Sequence, residues 1–223
     1  MTALGGQAWP DVAPARPLLA IPLGSCEQHG PHLPLDTDTT IAVALASELA
    51  GRRGDVLVAP PLAYGASGEH AGFAGTLSIG LAALEHVLVE LVRSADHFAG
   101  VILVNGHGGN ARAVERAVTT LQHEGRRVLA WWPSVPDGDA HAGRVETSLL
   151  LAIAPDTVRM DLAAPGCTAP LATILPTLEA EGVVAVAPSG VLGDPTGASA
   201  AEGARLLDEL AAALDAAVAT WPA

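Results

Sequence analysis

The fold of the chain is decided by residues 18–32, which read LLAIPLGSCEQHGPH. Residues 18–23 form a continuous apolar run of strand length, and Gly24 ends that run abruptly. Such a run is typical of a strand that is buried on both faces of a parallel sheet. The polar residues that follow, among them Glu27 and His29, therefore lie in a loop at the carboxyl end of the strand, where open α/β sheets bind their ligands.

The same order of apolar run, polar loop and amphipathic segment recurs along the chain. It predicts an α/β fold in which helices cover a mostly parallel sheet, with residues 1–223 as a single domain. Residues 183–187 look like a final strand, whereas residues 155–182 carry no clear pattern. The remaining predicted strands are 56–59, 101–104 and 128–131, and the predicted helices are 39–50, 82–97, 111–124, a segment from about 145, and 198–219.

Composition and charge exclude several classes of function. The 223 residues carry a formal net charge of −13, and all 11 basic side chains are Arg because the sequence has no Lys. Schiff-base chemistry and a phosphate-binding P-loop both require Lys and are therefore excluded. A nucleic-acid partner is not expected, because it needs a basic surface to neutralise phosphates.

Cysteine usage and hydropathy bear on the compartment. Two cysteines, Cys26 and Cys167, do not make a disulfide framework, and no charged start followed by an apolar run marks a signal peptide. No apolar stretch approaches the roughly 20 residues that a membrane span needs. We therefore expect a cytoplasmic protein without a membrane partner.

Histidines and carboxylates concentrate in the predicted strand-end loops. The densest group is Glu27, His29 and Asp38, and imidazole with carboxylate is the ligand set that Zn, Fe and Mn accept. Asp36 is equally well explained as a helix cap. His107 lies between glycines directly after a strand, which lets a metal or substrate approach closely. We therefore expect these loops to converge on a metal site.

A further candidate segment runs from His141 to Glu146, at the start of a predicted helix. This segment would supply a second carboxylate for a metal ion and a residue that acts as a base or an acid. Taken alone, such a segment is more often a first helical turn in which the helix dipole favours Glu.

Together these motifs resemble the creatininase (creatinine amidohydrolase) family. The family pattern is a Glu-Gln-His-Gly-Pro-His-Leu-Pro loop, a downstream Asp, an Asn-Gly-His loop and a His-Ala-Gly…Glu-Thr-Ser segment. Here these are residues 27–34, Asp38, residues 105–107 and residues 141–148, in the same order. The resemblance implies a layered α/β/α fold and an amidohydrolase with two divalent metal ions, Zn or Fe, with Mn as a further possibility.

The resemblance also implies roles for single residues. Glu27, Asp38 and His107 match the ligands of one ion, and His29 with the bridging Asp38 match ligands of the other. His141 matches the catalytic histidine, which would carry a proton to the leaving nitrogen.

One position departs from the pattern. Creatininase itself has a Glu two residues after the matched His107, whereas this chain has Gly109. The second ion would then lack a carboxylate, and we expect Glu146 to supply it and to take part in catalysis.

Within the family, the segments 64–76 and 190–203 are similar to those of peptidases that act on a modified ribosomal precursor peptide. The implied reaction is hydrolysis of a Gly–Val amide, which releases a cross-linked product derived from the C-terminal Val-Tyr pair. The resemblance further implies a homo-oligomer of six or more copies. The candidate substrate-binding residues are Ser67, Glu69, His70 and Gly108, although turn or packing roles explain Ser67 and Glu69 equally well.

Three other interpretations stay open at this point. The same metal site would serve an amidohydrolase of a small cyclic amide, of the creatinine or formamidopyrimidine type. A cofactor-binding domain would use residues 106–109 to hold a phosphate at a helix N-terminus, but it would leave the cluster of Glu27 and Asp38 without a role. A purely structural oligomer subunit is the third.

Overall fold

The computed structural model describes residues 3–12 and 16–222, so the ends of the predicted 1–223 domain lie outside the described residues. Its centre is a sheet of four parallel strands in the order β2-β1-β3-β4. The strands are β1 (Leu18–Leu23), β2 (Val56–Val58), β3 (Gly100–Asn105) and β4 (Val128–Trp131). The predicted strands 18–23, 56–59, 101–104 and 128–131 are thus confirmed to within one residue at each end.

Eight α-helices accompany the sheet in the described part of the chain. The predicted helices are confirmed, with ends that differ by a few residues. In chain order the helices are α1 (Trp9–Val12), α2 (Thr37–Arg52), α3 (Gly80–Arg93), α4 (Ala111–His123), α5 (Arg144–Ile153), α6 (Leu171–Glu181), α7 (Val183–Val186) and α8 (Ala200–Thr220).

The two faces of the sheet bury separate cores, because successive side chains of a strand point to opposite faces. Leu18 and Ala20 of β1 pack with apolar residues of α2, α5 and α8 on one face. Leu19 and Ile21 pack with those of α3 and α4 on the other. This is the layered α/β/α arrangement that the family resemblance implies.

The predicted final strand at residues 183–187 is wrong. Residues Val183–Val186 form the short helix α7, which follows Gly182 and packs beside α6. Val183 is buried with Leu178 and Leu192 in a small third cluster, while Val184 is exposed. A run of valines fits a one-turn helix against such a cluster as readily as a strand, since periodicity does not separate the two over so few residues.

No helix in the described ranges 3–12 and 16–222 is both long and apolar enough to cross a membrane.

Candidate metal centre

The loops that follow the four strands converge at one edge of the sheet. Because all strands are parallel, their carboxyl ends share this edge. Asn110 joins three of the loops: its Oδ1 accepts from the Ala66 N–H at 2.9 Å, and its Nδ2 donates to the Gly24 carbonyl at 3.0 Å and to Asn105 Oδ1 at 3.1 Å. The Asn110 side chain thus holds these loops together.

Glu27 lies at the centre of the converging loops and is fully buried. Neither of its carboxylate oxygens has a hydrogen bond of acceptable geometry. His107 Nε2 lies 3.2 Å from Oε2, while His70 Nε2 and His141 Nδ1 lie 3.4 Å and 3.9 Å from Oε1. Burying a carboxylate without partners is costly, so its surroundings require a cation.

Asp38 joins two histidines on the other side of the cluster. Its Oδ1 lies 3.0 Å from His29 Nε2, and its Oδ2 lies 3.2 Å from His107 Nδ1. Ser25 donates its hydroxyl to Oδ2 at 2.6 Å. Asp38 is held in the first turn of α2, where the helix dipole favours a carboxylate. This position allows it to bridge two ions.

The acid and base groups of the cluster shift one another's pKa values. Burial alone would raise the pKa of Asp38, but His29 and His107 hold it well below its usual range. Burial would likewise lower the pKa of His29, but Asp38 and the carboxylates of Glu146 and Glu27 raise it to about 10. The pKa of His107 is raised in the same way by Glu27 and Asp38, against the effect of burial. The site thus favours positive charge on these two histidines, and a bound metal ion could supply that charge in their place.

Three groups of donor atoms are close enough to hold a metal ion, with the atoms of each group within 4.8 Å of one another. Glu27, Asp38 and His107 form the first group, which the family resemblance implies as one ligand set. His29, Asp38 and Glu146 form the second, which includes the expected replacement for the missing Glu at position 109. The third group, Glu27 with His29 and His141, is not predicted from the sequence. These imidazole and carboxylate donors fit Zn, Fe or Mn.

Glu146 reaches the cluster from the first turn of α5. Its Oε2 accepts from the Ala142 N–H at 2.6 Å and lies 4.0 Å from His29 Nε2. Burial raises the pKa of Glu146 to about 7, although His29 acts in the opposite direction. The structure therefore brings Glu146 to the second group of donor atoms.

The imidazole ring of His141 lies between those of His29 and His70. Its ring centroid is 4.3 Å from that of His29 and 4.6 Å from that of His70. Burial lowers its pKa well below the usual value, and the charges of His29 and His70 act in the same direction. A neutral imidazole with one free nitrogen is able to accept a proton.

The four residues predicted to bind substrate lie on the His107 side of the cluster. Ser67 is fully buried, with its Oγ 3.4 Å from His107 Nε2. Glu69 Oε1 lies 3.5 Å from the same nitrogen, and burial raises the pKa of Glu69. Burial also lowers the pKa of His70 to about 4. Gly108 is exposed, with no atom within 4 Å of the place where a side chain would begin.

Two polar residues of the same sequence region lie outside the cluster. His32 turns towards α5, where its Nε2 lies 2.9 Å from Thr147 Oγ1. Asp36 is exposed at the position that precedes α2, and its side chain makes no capping hydrogen bond.

Sequence reasoning missed Gln28 and Ser25 as parts of the cluster. Gln28 is 5% exposed and reaches two of the histidines with its side chain. Ser25 is fully buried against Asp38. Their position beside Glu27 in the same loop is the one sequence signal that would have pointed to them.

Comparison with known proteins agrees with this geometry. The family model described as "Creatininase: Creatinine amidohydrolase" matches residues 6–218. The "Mycofactocin precursor peptide peptidase" of Mycolicibacterium smegmatis is 55% identical over 201 residues, which cover 87% of this chain and 81% of that protein.

Solved creatininases share the fold. The structure described as "Creatininase Mn" has a TM-score of 0.80 and 27% identity, and the match covers 100% of this chain and 99% of that one. A mutant creatininase of the "Zn-Zn type" has a TM-score of 0.80 and 26% identity at the same coverage. With the family model spanning almost the whole length and the strand-end cluster in place, this chain belongs to the creatininase family and is a hydrolase of amide bonds.

Proposed function

We propose that this protein is the metal-dependent peptidase that cleaves the modified mycofactocin precursor peptide. The bond cleaved is the Gly–Val amide, and the product is the cross-linked compound derived from the C-terminal Val-Tyr pair. The observation that carries the chemistry is the buried, unpartnered carboxylate of Glu27 among three histidines. The choice of substrate is supported by the 55% identity to the mycobacterial peptidase.

The residues of the cluster would hold two divalent ions, Zn or Fe, with Mn as a third option. Glu27, Asp38 and His107 would hold one ion, and His29, Asp38 and Glu146 the other. When bound, such ions polarise the scissile carbonyl and lower the pKa of a water molecule.

The proton-carrying step falls to His141. Hydrolysis adds water across the amide: the oxygen joins the Gly carbonyl carbon, the C–N bond breaks, and the Val nitrogen needs a proton to leave. His141 Nδ1 faces the Glu27 carboxylate at 3.9 Å, so it is placed to take the water proton and return it to that nitrogen. Glu146, the other residue expected to take part in catalysis, would act there as a ligand of the ion beside His29 and Asp38.

The peptide would enter on the side of Glu69 and Gly108, where the cluster is open. The side chain of Glu69 is 32% exposed, whereas that of Glu27 is fully buried. Ser67 and His70 lie deeper on the same side and would contact the residues next to the cleaved bond.

The test is mass spectrometry of the metal-loaded protein incubated with the modified precursor peptide. We expect metal-dependent loss of the modified C-terminal dipeptide, and no loss after chelation or with His107→Ala. The matched control His123→Ala removes an exposed histidine at the end of α4 and should cleave normally. An uncleaved peptide with two metals bound per chain would contradict the proposed substrate.

We also propose, from the family resemblance, an assembly of six or more copies. Light scattering on the purified protein tests it, and a monomeric mass would contradict it.

A further inference from the structure

The Gln28 side chain lies between His70 and His141 with a fixed orientation. Its Oε1 accepts the main-chain N–H of Gly30 at 2.8 Å. Because an N–H group can only donate, this contact identifies the oxygen of the carboxamide. The other end, Nε2, therefore donates, and it lies 2.9 Å from His70 Nδ1 and 3.1 Å from the Gly190 carbonyl.

The orientation of Gln28 determines where His70 carries its proton. His70 Nδ1 accepts from Gln28 Nε2, so it has no hydrogen of its own. In a neutral imidazole the hydrogen is then on Nε2. This nitrogen lies 3.4 Å from Glu27 Oε1. His70 thus directs an N–H group into the metal centre and offers it no free nitrogen.

The main chain of Gln28 determines which nitrogen of His141 carries the proton. His141 Nε2 lies 2.9 Å from the Gln28 carbonyl oxygen, which can only accept. The hydrogen of His141 is therefore on Nε2, and the free nitrogen is Nδ1, 3.9 Å from Glu27 Oε1. Gln28 Nε2 also lies 3.0 Å from His141 Nε2. This contact is not a hydrogen bond, because the two hydrogens of the Gln28 amide are donated to His70 and to the Gly190 carbonyl.

Gly190 leaves the room that this arrangement needs. A side chain at Gly190 would overlap the Gln28 carboxamide, and its φ of +81° is a conformation that favours glycine. The loop after α7 is therefore shaped around the Gln28 amide.

We propose that Gln28 is a positioning residue that sets the Nε2–H tautomer on both His70 and His141, so that His70 turns its N–H and His141 its free nitrogen towards the metal centre. His70 then serves as a hydrogen-bond donor for the oxygen that gains charge during hydrolysis, and not as a metal ligand. His141 presents Nδ1 as the proton acceptor. This proposal deepens the proposed function by naming the atoms that act, and its structural part holds for any amide substrate.

The test is nitrogen-15 NMR of histidine-labelled, zinc-loaded protein, which distinguishes the two tautomers of each ring. Variants His70→Asn and His141→Asn assign the signals. We expect the Nε2–H form for both rings, with His70 Nδ1 free of both proton and metal. A His70 ring with Nδ1 protonated, or with either nitrogen bound to zinc, would overturn the proposal. The measurement uses no substrate, so its outcome is separate from that of the peptide assay.

A second arm uses Gln28→Glu, which replaces the donor by an acceptor of the same shape. We expect His70 to change to the Nδ1–H form and His141 to keep its form, because the main-chain carbonyl remains. On the peptide, kcat should fall by about a hundredfold, in the range found when one hydrogen-bond donor to the oxygen that gains charge is lost. Gln122→Glu, an exposed residue on α4, is the matched control and should leave both the spectrum and kcat unchanged. Unchanged His70 signals in folded Gln28→Glu would contradict the role of Gln28.

Discussion

The carboxylate of Glu69 occupies the space that a side chain at Gly109 would need. A Cβ atom at Gly109 would overlap Glu69 Oε1, the Ala66 carbonyl and His107 Nε2. Gly109 is the position at which the chain departs from the creatininase pattern, in which a Glu stands two residues after the matched histidine. Here the carboxylates beside the cluster come from two other segments, Glu69 next to His107 and Glu146 next to His29.

Any side chain at position 109 should therefore disturb the centre. We expect Gly109→Ala to displace Glu69 and His107 and to lower zinc affinity by at least tenfold, roughly 1.4 kcal/mol. Titration calorimetry of the metal-free protein measures this. Gly108→Ala is the neighbouring control: a Cβ there meets no atom within 4 Å, so zinc affinity and thermal stability should be unchanged. An equal loss of zinc affinity in Gly108→Ala and Gly109→Ala would contradict the role given to the space at Gly109.

Glu146→Gln should remove one ion and spare the other. An amide is a poorer ligand than a carboxylate, and Glu146 belongs to the donor group of His29 but not to that of His107. Elemental analysis after dialysis should give about one zinc per chain instead of about two, as in two-metal hydrolase sites. The control Glu115→Gln changes an exposed Glu on α4 and should keep both ions. Unchanged zinc content in Glu146→Gln would show that Glu146 is not a metal ligand.

Metal binding should release protons. In the metal-free protein the pKa of His29 is raised to about 10, and that of His107 is raised as well. Both rings are therefore doubly protonated and positively charged at neutral pH. A metal needs a free nitrogen, so zinc must displace these protons and its affinity must rise with pH until the pKa of His29 is passed. Calorimetry at pH 7.5 in buffers of different ionisation enthalpy should report release of roughly two protons. Binding without proton release would contradict the pKa directions.

The contact between α5 and α8 should control the position of Glu146. Gly203 of α8 faces α5 so closely that a Cβ would overlap the Ser148 carbonyl. Gly203→Ala should therefore cost about 1–3 kcal/mol of unfolding free energy, typical of overpacking, and reduce zinc content. Gly51→Ala is the matched helical control: it has no atom within 4 Å of the new Cβ and should stabilise α2 by up to about 1 kcal/mol. Urea unfolding measures both, and a stable Gly203→Ala would contradict the close packing.

The four strands of the sheet could be predicted from the sequence because each of them is a continuous apolar run. Residues 18–23 of β1 are all buried, as two-sided burial predicts. Residues 183–187 are equally apolar, yet they form α7 against Leu178 and Leu192. The difference lies in tertiary packing, which a run of five residues does not encode.

The candidate site was predictable to the extent that its residues lie in motifs. Glu27, His29 and His107 lie in the loops that follow β1 and β3, so the parallel topology brings them to the same end of the sheet. The role of Gln28 was not predictable, because it depends on where the Gly190 loop and the two histidine rings lie in space.

The most direct test of the account is anomalous X-ray diffraction of zinc-loaded crystals at the zinc edge. We predict two peaks, one among Glu27, Asp38 and His107 and the other among His29, Asp38 and Glu146, with no zinc bound to His70. A single peak, or a second ion without Glu146 in its coordination shell, would contradict the two-metal centre proposed for this chain.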